Sequence, residues 1–183
     1  SSDVCSSDLV QKFIGINFRE RNLLVTFHPE TLNPSITPNQ QLENLLTALS
    51  ELEDTAIIFT KANADTGGAV INKAIDDYVR QNKSNTVLHS SLGQLRYLSL
   101  LKYVDGVVGN SSSGLIEAPS FNIATINIGD RQKGRMRSKS IIDCDASIDS
   151  IRSGFTKLYQ TSFKESIQSM DNPYDGGDTS EKI

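Results

Sequence analysis

The residues able to do chemistry in this chain fall in a few short stretches, each just after an apolar run. The richest is Gly109-Asn110-Ser111-Ser112-Ser113-Gly114-Leu115-Ile116-Glu117. Small residues let backbone N–H groups approach a ligand closely, and a helix starting there presents unpaired donors and a partial positive charge. A diphosphate fits such a place without side-chain cations, and the serine hydroxyls add further donors. A serine-rich helix cap with no ligand has the same composition, but three serines in a row exceed what one cap needs. Glu117 falls about one turn into the expected helix, where the helix dipole favours a carboxylate. Its two oxygens could also accept from the two hydroxyls of a ribose, as an acidic residue does in dinucleotide-binding folds.

Three other stretches qualify. His28 lies in Thr26-Phe27-His28-Pro29-Glu30, and the proline after it holds the chain extended, with the imidazole at a strand's carboxyl end. The loop Gly129-Asp130-Arg131-Gln132-Lys133-Gly134-Arg135-Met136-Arg137 is dense in cations. Arginine suits phosphate oxygens, although such a run is more often a solvated surface. Thr60-Lys61-Ala62-Asn63-Ala64-Asp65-Thr66-Gly67-Gly68 either touches a substrate or only makes a turn, and His89, before Ser90-Ser91, is a weaker candidate than His28. There is no metal-ligand spacing, nucleophile elbow or Walker-type loop, and nothing joins a histidine and the serines into a hydrolase triad.

These stretches need elements to position them. Leu23–Phe27, Ala56–Thr60, Thr86–Leu88, Gly106–Gly109, Ala124–Ile128 and Ser140–Asp143 read as strands. Between them, helical spacing picks out Leu42, Leu45, Leu46, Leu49 and Leu52, then Val70, Ile71, Ala74, Ile75 and Tyr78 behind a Thr66 cap. Further helices are expected over 92–103, 112–120 and around Ile148, Ile151, Phe155, Leu158 and Tyr159. Strands apolar throughout, separated by helices, predict one α/β domain: a doubly wound parallel sheet of about six strands, with right-handed crossovers. Ligands of such sheets sit at the carboxyl ends of the strands, near a switch in strand order.

At 183 residues the chain can bury one good core. A net charge of −4 argues against a protein that wraps nucleic acid but not against one binding a single phosphorylated molecule. No apolar run reaches membrane-span length, no secretory signal is visible, and Cys5 and Cys144 form no framework, so a cytoplasmic setting is expected. The first nine residues (SSDVCSSDL) carry no apolar pattern and read as translated sequencing adapter, a non-native tail over 1–9. The remaining divisions are an inter-domain remnant over 10–21 and the nucleotide-binding domain over 22–183.

Taken together, TFHPETL, GNSSSGLIEAPSF and NIGDRQKGR closely resemble the C-terminal domain of hydrolysing UDP-N-acetylglucosamine 2-epimerases, enzymes that feed sialic-acid-type sugars. The resemblance runs from about Leu23 to the end. It includes Asn172-Pro173-Tyr174-Asp175-Gly176-Gly177-Asp178, which in the family precedes a final helix that here looks cut short. It implies half of a glycosyltransferase-B type fold, with the sugar nucleotide between two Rossmann-like domains and homodimers at full length. His28 falls on the family's phosphate-contacting histidine, Ser111 and Ser112 on the diphosphate-binding serines, Glu117 on the ribose-binding glutamate and Arg131 on the phosphate-loop arginine. Arg135 is a second cation of less certain alignment. Ser113 stands where non-hydrolysing relatives carry glycine, and with Gly114 it is expected to offer backbone rather than side chain.

The family's reaction removes the proton on sugar C2 and expels UDP from C1, after which water adds to release N-acetylmannosamine. Its acid–base carboxylates belong to the N-terminal domain. The resemblance therefore implies that this chain binds UDP, with His28 and Arg131 stabilising the leaving group, and that alone it does not turn over. A UDP-diacetamido-trideoxy sugar is the alternative substrate, and a UDP-sugar glycosyltransferase or a non-enzymatic nucleotide-binding module of the same architecture are the alternative functions.

Overall fold

Apolar runs without polar alternation become strands buried on both faces, and the central strands Thr55–Thr60 and Ala124–Ile128 have no exposed residue. The computed structural model describes residues 6–63 and 65–175. The chain runs α1 (Ser7–Ile14), β1 (Arg21–Thr26), α2 (Pro38–Ser50), β2 (Thr55–Thr60), α3 (Thr66–Gln81), β3 (Thr86–His89) and α4 (Gly93–Leu101). It continues through β4 (Gly106–Gly109), α5 (Ser113–Ile116), a 3₁₀ turn (Ala118–Phe121), β5 (Ala124–Ile128), β6 (Ile141–Cys144), α6 (Ile148–Leu158) and α7 (Thr161–Ser166).

All neighbouring strands are parallel, in the order β3-β2-β1-β4-β5-β6. The chain winds outward from β1 through β3, then returns to lay β4 on the other side of β1. The switch in strand order therefore lies between β1 and β4. Side chains alternate across the sheet with period two. Leu23, Val25, Ile57 and Phe59 enter a core covered by α2, α3 and α6, while Leu24, Ile58 and Val107 enter a second core with Val10 and Ile14 of α1 and Leu100 and Leu101 of α4.

The register brings the strand ends level. His89 pairs with Thr60, Thr60 with Thr26, Thr26 with Gly109 and Gly109 with Asn127. The loops after five strands thus leave one rim. Gly109 is needed at its place: its φ is +132°, and a Cβ there would sit 1.9 Å from the Thr26 carbonyl oxygen.

Several expected boundaries move. Asp65, not Thr66, caps α3, its Oδ1 accepting from Gly68 N at 2.7 Å. Leu52 lies beyond α2, which ends at Ser50. The single helix expected over 112–120 is instead one turn, α5, followed by the 3₁₀ turn that Pro119 enters at its start. A proline lacks the N–H that continuing the helix would require. Helix α1 begins at Ser7, inside the segment read as a tail, and its buried residues Val10 and Ile14 fall in the segment read as a remnant. Cys5, Ala64 and the Gly176-Gly177-Asp178 stretch lie outside the described residues. No helix among the described residues is long and apolar enough to cross a membrane.

Candidate functional site

One asparagine ties the rim together at the switch point. Asn110 follows β4 and is 1% exposed. Its Oδ1 accepts from His28 N at 2.7 Å, and its Nδ2 donates to His28 O at 2.8 Å. This reciprocal pair locks the β1 loop to the β4 loop. Its own N–H donates to Thr26 O at 3.2 Å, and its carbonyl receives Arg131 Nη1 at 3.1 Å and Gln132 Nε2 at 2.9 Å. The loops after β1, β4 and β5 therefore meet at a single residue. A second tie runs directly between the β1 and β5 loops. Glu30 is 5% exposed, and its Oε1 accepts from Asp130 N at 2.9 Å. Gly129 makes the approach possible, since its φ is +78° and a Cβ would lie 2.1 Å from Glu30 Oε2.

The surroundings of the His28 ring disfavour its charged form. Burial, then the Arg131 charge beside it, pulls its pKa below the ordinary histidine value, against a smaller opposing effect from Asp65. Its Nδ1 is buried without a partner. A proton on Nδ1 would be an unmatched buried donor, so the neutral ring carries its hydrogen on Nε2. His28 thus presents one N–H donor next to the Arg131 guanidinium.

The serine run is not a helix cap. Ser112 occupies the N-cap position of α5 but makes no side-chain cap bond. The amides of Ser111, Ser112 and Ser113 donate to no acceptor among the described residues. The Ser111 hydroxyl reaches the Ser113 hydroxyl at 3.2 Å, and Ser113 in turn reaches Tyr97 Oη at 2.6 Å. Gly114 sits beneath this turn: its carbonyl accepts from Thr125 Oγ1 at 2.7 Å, and a Cβ would lie 2.7 Å from Thr125 Cγ2. Its contribution is clearance between turn and sheet.

Glu117 ends α5 rather than lying within a longer helix, so no helix dipole supports its charge. Its carboxylate has no partner among the described residues, and burial raises its pKa. With Ser113 it lines a cleft of about 430 Å³ also walled by Thr60 and Lys61, by residues 90–94 and by Tyr97. Thr60 hydrogen-bonds Thr26 at the floor of the rim. The β3–α4 loop forms one wall of the cleft, and Arg131 is not among the residues lining it.

The structure therefore joins His28, Ser111, Ser112 and Arg131 around Asn110, with Ser113 and Glu117 carrying the site into the neighbouring cleft. Arg135 is not brought in: it lies on the exposed outer part of its loop, where its backbone bonds Gln132 and Arg137. His89 is tied to α1, its Nε2 lying 2.7 Å from Ile14 O. Asn110, Gln132, Glu30 and Tyr97 were not singled out from the sequence, where buried polar residues look like any others. Among the described residues no group of three or more His, Cys, Asp and Glu side chains could hold a metal ion.

Comparison with known proteins gives this geometry a context. Residues 4–183 match the family described as UDP-N-acetylglucosamine 2-epimerase. The chain is 40% identical over 156 residues to the GDP/UDP-N,N'-diacetylbacillosamine 2-epimerase (hydrolyzing) of Campylobacter jejuni, covering 85% of this chain and 40% of that protein. It is 42% identical over 156 residues to polysialic acid biosynthesis protein P7 of Escherichia coli, covering 85% of this chain and 39% of that one. The S. aureus MnaA–UDP co-structure shares the fold, with a TM-score of 0.67 at 16% identity, covering 95% of this chain and 45% of that one. The fold is one Rossmann-like half of a glycosyltransferase-B type molecule, and the chain spans about two-fifths of the length of these curated relatives. With nearly all its residues matched, the chain belongs to the UDP-N-acetylglucosamine 2-epimerase family.

Proposed function

We propose that this chain is the UDP-binding half of a hydrolysing UDP-sugar 2-epimerase, which converts UDP-N-acetylglucosamine and water to N-acetylmannosamine and UDP. The observation that carries the proposal is the Asn110 junction, which sets an imidazole N–H, an arginine and unpaired serine amides on one rim. The diphosphate lies against the Ser111–Ser112 amides with His28 and Arg131 beside it. The ribose hydroxyls donate to Glu117, and the base extends into the cleft along residues 90–94.

In the reaction, a base removes the proton from C2, the C1–O bond breaks, and its electron pair leaves on UDP. Water then adds across the resulting double bond to give the free sugar. This chain's part is to stabilise the negative charge that grows on the departing diphosphate. Pre-aligned donors do this well, because they need no reorganisation as the bond breaks. His28 suits that role as a neutral donor and is no proton-abstracting base toward C2. The carboxylates that move protons are assigned to residues outside this chain, which alone binds UDP without turning over sugar.

The Campylobacter relative's name favours a second substrate, a UDP-diacetamido-trideoxy sugar, handled by the same chemistry. Both substrates share the UDP that this half would grip. The test is a thermal shift. Millimolar UDP raises the melting temperature of the chain, because it binds only the folded state, and Glu117→Ala removes most of the rise. No shift with wild type at millimolar UDP refutes the proposal. Joined to a family N-terminal half, the chain should release free sugar from one of the two substrates rather than transfer it to an acceptor.

A further inference from the structure

Tyr97 walls the cleft, and its hydroxyl is also the inner end of a chain of three. It projects from α4, and the distances are 2.6 Å from Tyr97 Oη to Ser113 Oγ and 3.2 Å from Ser113 Oγ to Ser111 Oγ. Each of these groups has one hydrogen to donate, so a chain in which every hydroxyl donates to the next can run in two directions. Without a ligand, Ser111 can donate inward to Ser113 and Ser113 to Tyr97. With an anion at Ser111, that hydroxyl must turn its hydrogen outward. It can then accept from Ser113, which in turn accepts from Tyr97.

The chemistry of the inner end favours the outward direction. A phenol is a stronger hydrogen-bond donor and a weaker acceptor than an aliphatic alcohol. Burial, against a smaller lowering by the Ser113 hydrogen bond and with the Glu117 charge adding to it, pushes the Tyr97 pKa up to about 12, so the proton stays on Oη. Donors aligned head to tail also polarise one another, strengthening the last bond of the chain. A buried phenol satisfied by the nearest hydroxyl would need only Ser113. The continuation to Ser111, at the rim, is what gives the arrangement a direction.

We infer that Tyr97 is a positioning residue which, through the Ser113 side chain, aims the Ser111 hydroxyl hydrogen at a diphosphate oxygen. The inference rests on the proposed diphosphate site and adds to it. It also gives Ser113 a side-chain role where the sequence suggested only backbone.

The test is calorimetric titration of the chain with UDP and with uridine, comparing wild type, Tyr97→Phe, Ser113→Ala and the double variant. Tyr97→Phe keeps the ring that walls the cleft and removes only the donor. It should weaken UDP about five- to tenfold, the size expected for one neutral hydrogen bond, and uridine less than about twofold. Ser113→Ala breaks the same chain at its middle and should do the same. The double variant should be no weaker than either single one, because both remove one unit. Equal losses for UDP and uridine would make Tyr97 a cleft wall only, and unchanged UDP affinity or additive losses would also overturn the inference while leaving the site standing. Wild type that fails to bind UDP would remove the site and the inference together.

Discussion

Asn110 uses its N–H, its carbonyl and both side-chain atoms, and together the bonds reach β1, the loop after it and the loop after β5. Its replacement by alanine leaves the His28 amide and carbonyl without partners in a partly buried place. Each such orphaned group costs about 1–3 kcal/mol. Urea unfolding should show a loss of that order for Asn110→Ala, together with lost UDP binding although no ligand-contacting side chain has changed. His28 allows a prediction with a defined sign. Its folded pKa lies below the ordinary 6.5, so the unfolded chain takes up the proton first. Its contribution to stability is complete above about pH 6.5, is lost as pH falls from there, and levels off below the folded value. Unfolding free energies measured from pH 7.5 downward should show this decline in wild type and a shallower one in His28→Gln. A steeper decline in the variant would contradict the assigned direction.

At the scale of elements, the interesting piece is the corner where α5 gives way to the 3₁₀ turn, with Glu117 between them. Four helical residues have almost no stability of their own, because helix nucleation is unfavourable. The corner is held from outside. Asn172 Nδ2 donates to Ile116 O at 2.8 Å and to Ser120 Oγ at 2.7 Å, and Ser120 Oγ donates to Asp175 Oδ2 at 2.7 Å. The segment around Asn172 thus fixes the turn that carries Glu117, though the two are far apart in sequence. Asn172→Ala should raise hydrogen-exchange rates of amides 115–122 and weaken UDP, with a stability loss of about 1–3 kcal/mol. Unchanged exchange there would show that the corner holds itself.

For the whole molecule, one sheet separates two cores that share its strands. Neither core can melt without exposing the other face of β1, β2 and β4, so unfolding should be a single transition. Ile14 tests this from the far side: it is fully buried in the second core, on a helix that precedes the first strand. Ile14→Ala should cost about 2–5 kcal/mol. With no tryptophan and five tyrosines in the chain, tyrosine fluorescence and far-ultraviolet circular dichroism should shift together. Separate midpoints would mean that the cores are independent.

By itself the sequence determined the parallel α/β class, the number of strands and the placing of polar residues at their carboxyl ends. Those features follow from local composition: an uninterrupted apolar run such as Ile57-Ile58-Phe59 is soluble only when covered on both faces, and apolar spacing of three and four residues marks the covering helices. His28, Ser111, Ser112 and Arg131 stood out as candidates because each closely follows a strand, and Glu117 because it comes one helical turn after the serines. Tertiary structure decided the rest. The Asn110–His28 pair spans 82 positions and the Tyr97–Ser113 pair spans 16, and no local pattern encodes which buried polar atom will meet which. It also decided that Arg135 stays in solvent and that Glu117 ends a single helical turn. The strand register and the docking of the Asn172 segment determine those positions, and both are properties of the folded sheet rather than of any stretch of chain.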